Sequence, residues 1–116
     1  MTTIVFIPAG GLGPRQPEIQ QMEPGLASMQ ALVGGYVQTV PLSPGVDLWI
    51  NEEGLLKGLP ANRLITDDEG CEWPIVGDCF VAASSEEGET VSLTDEQAAE
   101  WLQRANDAPV AIHLGR

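Results

Sequence analysis

The chain has 116 residues, an apolar fraction of 43% and a formal net charge of -12. That length supplies one domain and excludes two independent cores, and the apolar content excludes disorder of the whole chain. The charge disfavours direct contact with nucleic acid phosphates or anionic membrane and favours a basic partner.

The charge is unevenly placed. Up to Thr66 the acids Glu18, Glu23, Asp47, Glu52 and Glu53 face Arg15, Lys57 and Arg63. From Asp67 onward twelve acids face only Arg104 and Arg116, so nearly all the negative field belongs to the C-terminal half. No basic region precedes a long apolar stretch, and no apolar run approaches the roughly 18 residues that span a bilayer. A soluble, cytoplasmic protein is expected. Nothing indicates secretion, so Cys71 and Cys79 are expected as free thiols.

Thr2 to Ile7 is a β-branched and aromatic run ended by Pro8, which predicts a first strand. Ala9 to Gly25 holds four glycines and three prolines, so residues 9–25 are read as one long loop within a single domain spanning 1–116. Leu26, Met29, Leu32 and Val33 recur at helical spacing, with Gly34 and Gly35 placed for a left-handed cap. Tyr36 to Leu42 and Val46 to Asn51 form a hairpin about the turn Ser43-Pro44-Gly45. Asn51 to Gly54 closes that hairpin, and Leu55 to Pro60 is expected to cross back over the core. Asp67 to Pro74 reads as an acidic loop. Ile75 to Ala83, apolar on both faces except at Asp78, reads as a central strand entered through Gly77.

Ser84 to Glu89 is an exposed turn before the short run Thr90 to Leu93. Thr94 followed by Gln97 makes a capping box, and Asp95 and Glu96 suit the positive first turn of the helix it opens. Ala98, Trp101, Leu102 and Ala105 form its apolar stripe. The helix stops before Pro109. Val110 to Leu114 either adds an edge strand able to support a homodimer or trails off.

The pieces Leu32-Val33-Gly34-Gly35-Tyr36-Val37, Asn51-Glu52-Glu53-Gly54, Leu59-Pro60-Ala61-Asn62-Arg63 and Ile75-Val76-Gly77-Asp78, in this order and spacing, carry a resemblance. Over the middle half to two thirds of its length the chain resembles a family of small phage and bacterial proteins, the domain of unknown function DUF3846. The resemblance implies a single domain of phage or mobile-element type, with no established activity to carry over.

Candidate sites are few. Gly10-Gly11-Leu12-Gly13-Pro14-Arg15 follows a strand, but it lacks the remaining signature of a dinucleotide loop or a P-loop, and its prolines remove donors a phosphate needs. Asn62 and Arg63, read as turn residues beside Glu52 and Glu53, form the best ligand-binding set: an arginine clamps a carboxylate or phosphate bidentately, and an asparagine reads an amide or base edge. The bland alternative has Asn62 supporting a turn and Arg63 pairing with a glutamate. Asp78 is either a base in an apolar setting or an acceptor of backbone hydrogen bonds at a bend. His113 is the only histidine, and with two scattered cysteines it makes no metal site of recognisable spacing, so no cofactor or metal is expected.

Trp49 and Trp101 read as core, whereas Trp73 reads as either a partner anchor or loop packing. Asp67, Asp68, Glu69, Glu72, Glu86, Glu87 and Glu89, with Glu96 and Glu100 on the exposed helix face, are either a solvated surface or a carboxylate array that imitates DNA phosphates. The fold expected is α+β, a mostly antiparallel sheet of four to five strands with one short and one longer helix on one face. The function expected is that of a non-enzymatic phage or mobile-element accessory protein, with a possible counter-defence role, binding a host or phage protein through acidic surface. The alternative is a small-molecule or nucleotide-binding, sequestering protein using Asn62 and Arg63.

Overall fold

The computed structural model describes residues 1–9 and 16–109. Its elements, in chain order, are β1 (Thr2–Ile7), β2 (Glu18–Met22), α1 (Leu26–Val33), β3 (Val37–Ser43), β4 (Val46–Asn51), β5 (Ala61–Thr66), β6 (Glu72–Val76), β7 (Cys79–Ser84), β8 (Thr90–Val91) and α2 (Asp95–Asp107). The strands build a six-stranded sheet in the order β2-β1-β7-β4-β3, with β8 also on β7, and a separate two-stranded sheet of β5 and β6. Every pairing is antiparallel. The α+β class and the mostly antiparallel sheet therefore hold, with more strands than the sequence pattern separates.

The central strand β7 explains the layering. Side chains alternate across a strand, so Cys79, Val81 and Ala83 point to one face while Phe80 and Ala82 point to the other. All five are buried. Cys79, Val81 and Ala83 join Val5, Ile7, Leu48 and, from α2, Ala98, Trp101 and Ala105. Phe80 and Ala82 join Ile4, Met22 and, from α1, Met29 and Val33. A strand apolar on both sides needs cover on both sides, at about 1.5–3 kcal/mol for each large side chain removed from water. The two helices accordingly lie on opposite faces of the sheet and not on one.

The segment 9–25 is not all loop. Glu18–Met22 pairs along β1 from Thr2↔Met22 to Phe6↔Glu18 and sends Met22 into the α1 core. Its polar residues tolerate the position because β2 is an edge. α1 is short and ends at Gly34, whose φ of 79° gives the left-handed cap and whose N–H donates to the Gln30 carbonyl. Thr94 opens α2 with both halves of the capping box in place.

Leu55 and Leu56 do not cross the core; they stand 84% and 88% exposed on the turn that follows β4. Asp67 to Pro74 is a tight turn followed by β6, so Ile75 and Val76 belong to the smaller sheet and only the residues from Cys79 onward belong to the central strand. Gly77 makes the break. Its φ is +77°, a conformation that L side chains rarely adopt, so the backbone calls for glycine.

Candidate functional site

Asn62 and Arg63 lie in strand β5, not in a turn, and both are buried, with 1% and 6% of their surfaces exposed. The β5–β6 register explains how. Ala61 pairs with Val76 and Leu64 with Pro74, so two residues of β5 stand against one of β6. Such a bulge abolishes the in-and-out alternation locally and turns both neighbours toward the interior.

Asn62 is consumed by the fold. Its Nδ2 donates to the Ile7 carbonyl at 3.0 Å and to the Gly77 carbonyl at 2.8 Å, joining β5 to the end of β1 and to the β6–β7 turn. Its Oδ1 accepts from Arg63 Nη1 at 2.9 Å, and the same nitrogen donates to the Pro8 carbonyl at 3.1 Å. Arg63 Nε is buried without an acceptor. Burial lowers the guanidinium pKa from its ordinary value, partly offset by the neighbouring Cys79 sulfur.

Glu52 and Glu53 do not join this pair. Glu53 forms an ion pair with Lys57 at 3.5 Å, and Glu52 is exposed. Asp78 Oδ1 accepts the Ala9 N–H at 2.9 Å, a bond of the backbone-supporting kind that the sequence offered as one of two readings. Residues Gly10 to Arg15, Val110 to Leu114 and His113 lie outside the described residues. Cys79 is fully buried, and desolvation pushes its thiol pKa well up, Arg63 opposing and Asp78 adding to the shift; Cys71 is exposed, and both thiols are free. Among the described residues no cluster of histidine, cysteine and carboxylate is arranged for a metal ion. No helix among them is long and apolar enough to cross a membrane.

The acidic residues divide into those that build structure and those that face water. Asp67 is buried and organises the β5–β6 turn: Oδ1 accepts from Glu69 N and Cys71 N at 2.9 Å each, and Oδ2 accepts from Trp73 Nε1 at 3.1 Å. The Trp73 indole, more than any other group, holds this carboxyl below the usual range; burial opposes, and the two amides and Arg104 assist. Trp73 is thus tied by its polar end, although its ring remains partly exposed.

Asp68, Glu69, Glu72, Glu86, Glu87, Glu89, Glu96 and Glu100 are all exposed. Two of the acidic turns converge. Asp68 N donates to the Leu42 carbonyl and Ser84 N to the Gly45 carbonyl, both at 2.9 Å. The turns carrying Asp68 and Glu69 on one side, and Glu86, Glu87 and Glu89 on the other, are thereby held to either flank of the β3–β4 hairpin tip.

Arg104 was missed by sequence reasoning beyond its place on the polar face. It donates to Asp68 at 2.8 Å, to Glu100 at 3.2 Å and to the Thr66 carbonyl at 2.9 Å, with its guanidinium 3.8 Å from the Trp101 ring centre. The i,i+4 pair with Glu100 was legible; the link to Asp68 spans 36 residues and was not.

No curated protein and no solved structure matches the chain. The family model described as the domain of unknown function DUF3846 matches residues 1–106. That match takes in every described strand, α1 and all but the last residue of α2, so the chain belongs to the DUF3846 family.

Proposed function

We propose that this chain is a non-enzymatic accessory protein of a phage or mobile element that binds a host or phage protein through its acidic surface, in the manner of a DNA mimic or counter-defence factor. The observation that carries the reading is the convergence of two acidic turns on one hairpin tip. Among the described residues Glu69, Glu86, Glu87 and Glu89 make no ion pair, while Asp68 is partly neutralised by Arg104. Carboxylates brought together from separate segments, and left without cations, raise the local negative potential above that of the same charges spread evenly. A basic groove that normally takes phosphates offers the complementary surface.

The test is affinity capture from host extract, run in parallel with a variant carrying Glu69→Gln, Glu86→Gln, Glu87→Gln and Glu89→Gln. The expected partner is a basic protein that the wild type retains and the variant does not. Retention should fall between about 0.1 M and 1 M salt, as the screening length shrinks from roughly 10 to 3 Å. Equal capture by the variant, or capture indifferent to salt, sinks the proposal.

A further inference from the structure

A cavity of about 240 Å³ lies where the two sheets meet α2. Ile7 and Val81 of the larger sheet, Leu64 and Ile65 of β5, and Trp101 and Ala105 of α2 line it. All of these except Leu64 are at most 4% exposed, so the walls belong to the core while the space between them is unfilled. Packed interiors leave few voids larger than a water molecule, and this one is braced open. Leu64 N donates to the Pro109 carbonyl at 3.0 Å and Arg104 Nη2 to the Thr66 carbonyl at 2.9 Å. The end of α2 and the residue beyond it are thereby strapped to β5 on either side of Ile65. The mouth opens beside Thr66 and Asp107, both exposed.

The walls are apolar and the mouth is acidic. Asp107 is the last residue of α2, where unpaired carbonyls make the negative end of the helix and a carboxylate is the disfavoured charge. Its two oxygens accept from Gln103 Nε2 at 3.0 Å, and among the described residues it forms no ion pair. Arg104, in the same last turn, does not offset it, because that charge is already shared by Asp68 at 2.8 Å and Glu100 at 3.2 Å. The mouth keeps a net negative charge. A cation placed there relieves both the carboxylate and the helix end.

We propose that this cavity binds a small organic amine, with its apolar body among Ile65, Val81 and Trp101 and its ammonium group at Asp107. The volume limits the body. An apolar cavity of about 150 Å³ holds benzene, and sites for drug-sized ligands begin near 300 Å³. At about 240 Å³ this one takes a single ring or branched chain, of about ten heavy atoms or fewer. No residue of the acidic hairpin tip lines the cavity, so the site goes beyond the interface proposed above, and its failure would leave that reading untouched.

The experiment follows the indole N–H resonances of Trp49, Trp73 and Trp101 in 1H–15N spectra of the full chain. Benzylamine hydrochloride, benzyl alcohol and sodium benzoate are titrated in separate arms, with sodium chloride holding ionic strength equal, because salt alone screens a chain of charge -12. The expected result is a saturable shift of Trp101 alone with benzylamine, a weaker one with benzyl alcohol, which keeps the ring without the charge, and none with benzoate. Ala105→Leu, which adds bulk at a lining position, should abolish the response. Asp107→Asn should weaken benzylamine by about fivefold, the upper end for an exposed ion pair, and leave benzyl alcohol unchanged. A Trp101 resonance that stays still with benzylamine, moves together with those of Trp49 and Trp73, or responds equally to all three compounds overturns the proposal. So does an undiminished response in Ala105→Leu, or unchanged benzylamine affinity in Asp107→Asn. If the leucine variant fails to fold, the wild type and Asp107→Asn decide.

Discussion

Replacing Asn62 by alanine tests whether the buried amide is the latch between the two sheets. The side chain makes two bonds to backbone carbonyls and one to a charged guanidinium. Neutral hydrogen bonds contribute about 1 kcal/mol net and those to charged groups about 1.5–3 kcal/mol, while acceptors stranded in the interior add their own penalty. Together these give a loss of about 4 kcal/mol, a large share of the roughly 5–15 kcal/mol that holds a typical domain. The melting point should fall by on the order of 15–20 °C. Urea titration followed by tryptophan fluorescence reads the change, since Trp49 stacks on Phe80 at 6.1 Å between ring centres and Trp101 is buried in the other core. Asn106→Ala, on the exposed face of α2, serves as a control expected to stay within about 0.5 kcal/mol. Asn62→Asp separates two accounts. It keeps an acceptor for Arg63 but sets a carboxylate against the Ile7 and Gly77 carbonyls, so it should be as damaging as alanine. A loss below about 1 kcal/mol in the alanine variant, or a neutral aspartate variant, would refute the latch.

Two further outcomes follow from the titrating groups. The Asp67 carboxyl is depressed in the folded state, so its contribution is complete above the unfolded value of about 3.9 and is lost as pH falls through the lower folded value. The stability difference between wild type and Asp67→Asn should therefore be larger at pH 5 than at pH 2, and parallel acid profiles of the urea midpoint would count against the three-donor arrangement. Cys71 should react with a thiol reagent at the rate of an exposed cysteine while Cys79, buried with a raised pKa, reacts only on unfolding; two fast thiols in native buffer would contradict the packing of β7.

Where local chemistry dominates, the sequence was legible. The α2 cap needs only Thr94 and Gln97, three residues apart, and the β3–β4 hairpin needs only Pro44 and Gly45 between two β-rich runs. The α1 terminus needs only a glycine at the left-handed position. Where pairing partners are distant, local signals misled. Glu18–Met22 has weak strand character and becomes β2 because β1 offers it a free edge. Asn62 and Arg63 looked like turn residues because polar side chains seldom enter strands, and the bulge that buries them is visible only from the β6 register. The small sheet itself escaped notice, since Ile75 and Val76 run on in sequence to the central strand and only the left-handed Gly77 parts them.

The sequence by itself determined the family, the α+β class and the strongly acidic C-terminal half, because composition and short-range turn and cap chemistry are written in neighbouring residues. Tertiary structure alone decided that the helices cover opposite faces, that Asp67 works inside a turn while Glu69, Glu86, Glu87 and Glu89 face water, and that Asn62 and Arg63 are buried between the two sheets. Burial and hydrogen-bond satisfaction are properties of what surrounds a side chain, and those surroundings come from elements tens of residues away.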